Sequence, residues 1–372
     1  MLTVAAAPLP PFYSFDIPLR RSIVAAISGG SDSTALLLLL RDHLAAAAPT
    51  ARLIAATVDH GLRAESAAEA EAVARLCASF GIEHRTLTWT GEKPASGIPA
   101  AAREARYRLL AEAAREAGTD LVFTGHTADD QLETVAMRRE RRGDGRGLAG
   151  MAPATLYAGD VWICRPLLGT RREALRAYLR GQDIGWIDDP SNIDTAFERP
   201  RMREAMASTT DAGATTDIAL AEIAQTGAER EALAVQATHL ITAHAERDPS
   251  GVVLLEPAFA AFGDTAAATY ALRLLLATVG GSEHLPDHER SAALFARLGE
   301  PGLRATLSRC VVENRKDGLR IRREKRAGTP IPAKAQPTVA PFARFLPSFD
   351  LAPAAALAAL VGAPPLPPPP FS

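Results

Sequence analysis

From residue 22 to residue 139 the chain repeats one pattern four times: a short apolar, β-branched run followed by a longer alanine-rich amphipathic segment. The runs 22–28, 52–58, 82–89 and 120–126 have strand length, and the segments 33–47, 64–80, 99–117 and 127–139 have helical periodicity. Repeated strand–helix units run their strands parallel and cover both faces of the sheet, because each crossover is itself a helix. The expected fold class is α/β with a parallel sheet. Ligands of such a sheet bind at the carboxyl ends of its strands, and all four loops leaving those ends are polar.

Composition narrows the class further. A chain of 372 residues, 47% hydrophobic, suffices for one domain of about 200 residues and a smaller one. Lys+Arg 41 against Asp+Glu 43 leaves bulk charge silent about a polyanionic partner, so local clusters decide. Cys77, Cys164 and Cys310 are isolated and form no C-x-x-C pair, which argues against a disulfide framework, a zinc site or an iron–sulfur site. Prolines interrupt the N-terminal "MLTVAAAPLPPFYSF", which has no basic leader, and no apolar stretch approaches the roughly 18 residues of a membrane span. A cytoplasmic protein without a membrane partner is expected.

Beyond the fourth unit lies a Gly/Arg loop at 139–151, then a turn, an arginine-bearing helix and a short strand within 165–194. Small polar residues at 209–216 read as a linker. Helical patterns follow at 217–245, 265–279 and 287–298, and 304–324 alternates like a hairpin around Lys316-Asp317-Gly318. The proline-rich end reads as extended or disordered. The expected division is 1–208, 209–300 and 301–372.

The most telling loop is Ser28-Gly29-Gly30-Ser31-Asp32-Ser33, between the first strand and its helix. A Gly-Gly-Ser turn there leaves backbone N–H groups unpaired at a helix N-terminus, a nest for phosphate. It lacks the Gly-Lys-Ser/Thr of a Walker loop. Asp32 repels a bare phosphate but suits one carrying Mg²⁺. An ordinary serine cap with an acid in the first turn is the plainer alternative. In "GHTADDQLET", Thr127 can cap the next helix, with Asp129 and Asp130 in its first turn and Glu133 one turn on. With His126 before them, the acids suit a metal ion or a cationic substrate, though Asp129 serves equally as a macrodipole partner. Asp59 and His60 close the second strand, where a base or ribose would lie, although His60 reads equally well as a capping or core histidine. Gly145-x-Gly147-x-x-Gly150 follows a helix rather than a strand, so it is no dinucleotide fingerprint. Arg141, Arg142 and Arg146 fit a lid or phosphate-backbone clamp instead.

The loop resembles the S-G-G-x-D-S pyrophosphate loop of the N-type ATP pyrophosphatases. "VDHGLRAESAAEA", "AAREARYRLL", "GHTADDQLET" and "RRGDGRGLAGM" narrow the resemblance to the tRNA(Ile)-lysidine synthases, and "RPLL" and "WIDDPSNID" continue it. The resemblance implies a PP-loop ATPase domain, of the adenine nucleotide alpha hydrolase kind, followed by a smaller, mainly helical domain that grips tRNA. It implies that ATP adenylates the wobble cytidine of a CAU anticodon and that free L-lysine then displaces AMP. Ser28, Gly29, Gly30, Ser31, Asp32, Ser33, Asp59 and His60 would bind ATP, and Asp32 and Asp130 Mg²⁺. Asp32, Asp129, Asp130, Glu133, Arg103 and His126 would be catalytic. Arg141, Arg142, Arg146, Arg199 and Arg203 would meet RNA, although the family has asparagine where this chain has Pro200. A homodimer is compatible with the resemblance. Rival readings are a related tRNA-modifying or amidating adenylase, and a catalytically silent RNA-binding protein.

Overall fold

The computed structural model describes residues 12–62, 66–140, 145–187, 201–202, 212–282, 284–316, 318–324 and 344–371. The chain divides into two compact units, 1–226 with 369–372, and 227–368. That boundary falls inside the helix Ala212–His244, beyond the small polar stretch 209–216 that composition reads as a linker. Residues 212–216 are the beginning of this helix.

In the first unit the alternation resolves into β1 (Ser22–Ala26), α1 (Ser31–Ala47), β2 (Arg52–Asp59), α2 (Ser66–Ser79), β3 (Glu83–Thr88), α3 (Ile98–Glu116), β4 (Leu121–Phe123) and α4 (Ala128–Glu140). β1 pairs in parallel with both β2 and β4, and β2 with β3. The next two strands were hidden in the sequence. β5 (Ala154–Tyr157) and β6 (Val161–Cys164) form a hairpin, and β6 joins β4 in parallel. Their turn closes through Asp160 N–H to Tyr157 O at 3.3 Å, with positive φ at Ala158 and Gly159. Asn-Gly usually announces such a turn, and Ala-Gly does not.

Across the first unit the strands lie in the order β5-β6-β4-β1-β2-β3. The chain leaves β1 on one side towards β2 and β3 and returns on the other side as β4. A crevice therefore opens at the carboxyl ends of β1 and β4, where the order reverses. α1 buries Leu36, Leu37, Leu38, Leu39 and Leu40 in succession, because the sheet and α5 (Arg172–Gly181) cover more than one of its faces. The short strand expected after α5 falls partly on 188–194, which lie outside the described residues; within 185–187 there is no strand, and Ile187 N–H donates to Gly29 O at 2.8 Å.

The second unit has its own core, in which Leu240, Phe259, Leu272, Leu275, Val312 and Ile321 meet. Here β7 (Ala245–Arg247), β8 (Val253–Leu255), β9 (Arg304–Leu307), β10 (Cys310–Arg315) and β11 (Gly318–Arg323) form an antiparallel sheet ordered β7-β8-β11-β10-β9. The expected hairpin is its β10–β11 pair, so strands and helices share one core. Helices Thr265–Gly280 and His288–Phe295 accompany the sheet. The C-terminal region, read from its prolines as extended, contains a further helix, Leu351–Val361, with Pro353 in its first turn. Among the described residues no helix is long and apolar enough to cross a membrane.

Candidate active site

The crevice begins with the loop that leaves β1. Gly29 has φ +85°, a backbone conformation that side chains disfavour and glycine adopts freely, and a Cβ there would also press on Ile187 Cδ1 at 2.7 Å. Ser33 knits the turn: its hydroxyl donates to Gly30 O at 3.1 Å and accepts from Ser28 N–H at 3.1 Å. These bonds hold the loop open. The N–H groups of Gly29, Gly30, Ser31 and Asp32 meet no acceptor among the described residues, and they gather at the N-terminus of α1. Four unmet donors at the positive end of a helix form an anion cradle. A cap alone would have used some of them.

β4 delivers the acids to the same edge. A Cβ on Gly125 would lie 3.0 Å from the Asp32 carbonyl group, so the two loops abut. Thr127 and Asp130 close a reciprocal cap: the Thr127 N–H and hydroxyl donate to Asp130 Oδ2 at 2.8 and 3.0 Å, and Asp130 N–H returns to Thr127 Oγ1 at 3.4 Å. Asp130 and Glu133 are buried, at 7% and 2% exposure. Asp129 is engaged elsewhere. It accepts from the Arg171 guanidinium at 3.0 Å and from Arg172 N–H at 2.7 Å, thereby capping α5. Burial would raise its pKa, but these bonds outweigh burial and hold it below the ordinary carboxylate value.

At the centre of the cluster is a residue that sequence reasoning missed. Arg172 places its guanidinium 2.8 Å from Asp32, 3.3 Å from Asp130 and 3.6 Å from Glu133. Burial disfavours its charge, yet Asp32, then Asp130 and Glu133, more than compensate and raise its pKa above the ordinary arginine value. One turn on, Arg176 reaches Ser31 Oγ at 3.4 Å. A signal was present: adjacent arginines at the start of a helix oppose its macrodipole and need an external reason.

The remaining expected residues scatter around this core. Asp59 accepts from Ser66 Oγ at 2.7 Å and Gly61 N–H at 2.8 Å, bonds that lower its pKa and tie down the turn after β2. His60 meets Trp89 edge-on at 6.0 Å, and its buried Nδ1 has no hydrogen-bond partner. Burial first, then Arg106, lower its pKa against the opposing pull of Asp59, so its imidazole is neutral at pH 7. His126 Nδ1 lies 2.9 Å from Thr124 Oγ1. Arg103 stacks over the Tyr107 ring at 5.0 Å and forms no ion pair among the described residues. The C-terminal part of the Gly/Arg loop is hydrogen-bonded to α4: Arg138 donates to Gly147 O and Gly150 O at 2.7 and 2.8 Å, and Gln131 brackets Met151. Arg141, Arg142, Arg199, Arg203 and the Arg146 side chain lie outside the described residues. Cys77, Cys164 and Cys310 are buried and unpaired, and burial raises all three thiols, Cys77 to about 11 and Cys310 to about 12, so none is a thiolate at pH 7.

Comparison with known proteins agrees with this geometry. Residues 12–210 match the PP-loop domain family. The chain is 48% identical to the tRNA(Ile)-lysidine synthase of Mesorhizobium japonicum, with 94% of each chain covered. It is 44% identical to that of Brucella anthropi, covering 85% of this chain and 71% of the relative. Among solved structures, the U34-tRNA thiolase NcsA from Methanococcus maripaludis with its [4Fe-4S] cluster superposes with a TM-score of 0.49 at 17% identity, covering 56% of this chain and 74% of that one. With a PP-loop domain carrying an anion cradle beside an acid pocket, and with near full-length similarity to these relatives, the chain belongs to the tRNA(Ile)-lysidine synthase family.

Proposed function

We propose that the protein joins free L-lysine to C2 of the wobble cytidine in the CAU anticodon of tRNA(Ile), converting ATP to AMP and diphosphate. The observation that carries this reading is the juxtaposition, at the carboxyl ends of β1 and β4, of a cradle for an anion and a buried pocket that already holds a cation. The reaction needs both. The cytidine O2 attacks the α-phosphorus of ATP, the bond from that phosphorus to the bridging oxygen breaks, and diphosphate departs onto the N–H groups of Gly29 to Asp32. C2 of the adenylated base is now electrophilic. The lysine Nε, having lost a proton, bonds to C2; the C2–O bond breaks and AMP leaves.

Asp130 and Glu133 are the carboxylates that receive the amine end of lysine, and their burial makes that contact strong. Asp129, committed to α5, holds the scaffold. Asp32 and Asp130 face one guanidinium from the first turns of α1 and α4, at this edge of the sheet. Among the described residues no group of three or more acids, histidines or cysteines forms a ready metal cage. That donor set suits Mg²⁺, which binds through one or two carboxylates plus phosphate oxygens. When bound, it would neutralise charge on the departing diphosphate, and Asp32, in the first turn beside the cradle, would hold it, which leaves Asp130 to the amine. His60, after β2, and Arg103, on α3, are the residues we assign to the nucleoside. The cytidine must leave its stack to enter, as single-stranded RNA readers require.

Glu133→Gln tests the pocket. It is expected to raise KM for lysine about 10-fold or more, the scale of a lost charge-assisted hydrogen bond, with KM for ATP little changed. Steady-state kinetics with each substrate varied in turn would show this, and equal shifts in both constants would count against the assignment.

A further inference from the structure

We propose that Arg172 is a positioning residue that joins the phosphate side of the site to its amine side, and that it yields Asp130 and Glu133 to the ε-ammonium of incoming lysine while keeping Asp32. The inference rests on the reading above that these two acids receive the amine. Three observations carry it. First, the grip is graded: 2.8 Å to Asp32, 3.3 Å to Asp130 and 3.6 Å to Glu133, loosening towards the amine side. Second, three carboxylates face this one guanidinium, Asp32 at its Nε and Asp130 and Glu133 at its two terminal nitrogens, so an incoming ammonium competes with it for the last two without disturbing the first. Third, α5 does not need this side chain for docking. Asp129 already bonds the Arg172 N–H and the Arg171 guanidinium. The side chain is thus a cation placed against its own helix dipole and held there by acids that the reaction uses.

Its release has a destination. Arg172 Nε remains on Asp32, in the first turn of α1, and Arg176, one turn further along α5, is already at Ser31 in the cradle. A guanidinium freed from Asp130 and Glu133 therefore stays beside the phosphates, where positive charge assists diphosphate departure. Occupation of the amine side and charge on the phosphate side become linked through one residue.

The test uses the full-length protein with Arg172→Gln and Arg172→Lys. Lysine binding is measured by titration calorimetry without nucleotide, and lysine transfer to tRNA is measured at saturating ATP. Because the variant pocket loses its resident cation, Arg172→Gln is expected to bind lysine about fivefold tighter or more. Its kcat is expected to fall about 100-fold. Methylguanidine at millimolar concentration is expected to restore part of kcat and to raise KM for lysine by competition. Arg172→Lys keeps the charge without the fork and is expected to retain wild-type lysine affinity with reduced kcat. Unchanged or weaker lysine binding by a folded Arg172→Gln, or the absence of methylguanidine rescue and competition, would overturn the inference while leaving the reading of function intact. Wild-type protein that neither binds nor transfers lysine would overturn both.

Discussion

Asp32→Asn in the full-length chain is expected to lower tRNA-dependent AMP release at least about 100-fold, the scale on which single charge-stabilising groups act in catalysis, and to leave the fold intact. The substitution is isosteric, and the Asp32 side chain is 18% exposed at the edge of the crevice rather than buried in the core. Its bonds, to Ser31 Oγ and the Arg172 guanidinium, hold the site and not the sheet. What the variant loses is one negative charge beside the cradle, where a metal-bearing phosphate would sit. AMP release by chromatography and a thermal melt together decide the matter. Near-normal turnover, or loss of the folded state, would contradict the role given to Asp32.

The largest expected effect on stability is in the second unit. At Gly280, in the last turn of the helix Thr265–Gly280, an added Cβ would lie 2.0 Å from Ser308 O and 3.2 Å from Cys310 Sγ. Ser308 and Arg309 form the turn between β9 and β10, and both have positive φ, so the obstructing carbonyl belongs to a tight backbone turn. Gly280→Ala must displace either the helix end or that turn. The expected cost is about 3 kcal/mol, the upper part of the overpacking range. Gly299→Ala is the control, since nothing lies within 4 Å of its added Cβ. Differential scanning calorimetry should show Gly280→Ala melting several degrees below wild type and Gly299→Ala close to it. Similar melting of the two variants would mean that the turn does not press on the helix.

Local order was legible in the sequence wherever the physics is local. The four strand–helix units, the glycine-rich turn after β1 and the capped acidic turn of α4 each depend on neighbours within a few residues, and each is present where the pattern places it. What escaped depends on distance along the chain or on disguised turns. Arg172 meets Asp32 across 140 positions, a separation that periodicity does not report. The β5–β6 hairpin was masked by four-residue strands and an alanine in a positive-φ turn. The helix Leu351–Val361 was masked by the proline content around it, although Pro353 falls in the first turn, where a helix tolerates it. Asp129 illustrates a subtler limit. Sequence placed it correctly in the first turn of α4 but left open whether it served that helix or the chemistry, and its carboxylate instead caps α5.

The most direct test of the central claim is transfer of radiolabelled L-lysine by the purified protein with ATP and Mg²⁺, using tRNA(Ile) with a CAU anticodon and tRNA(Met) in parallel. The account predicts label in tRNA(Ile) alone, with one AMP and one diphosphate released for each lysine incorporated. Diphosphate release without lysine in the RNA would place the chemistry at the cradle but give it a different nucleophile, and folded protein that releases neither AMP nor diphosphate would contradict the account altogether.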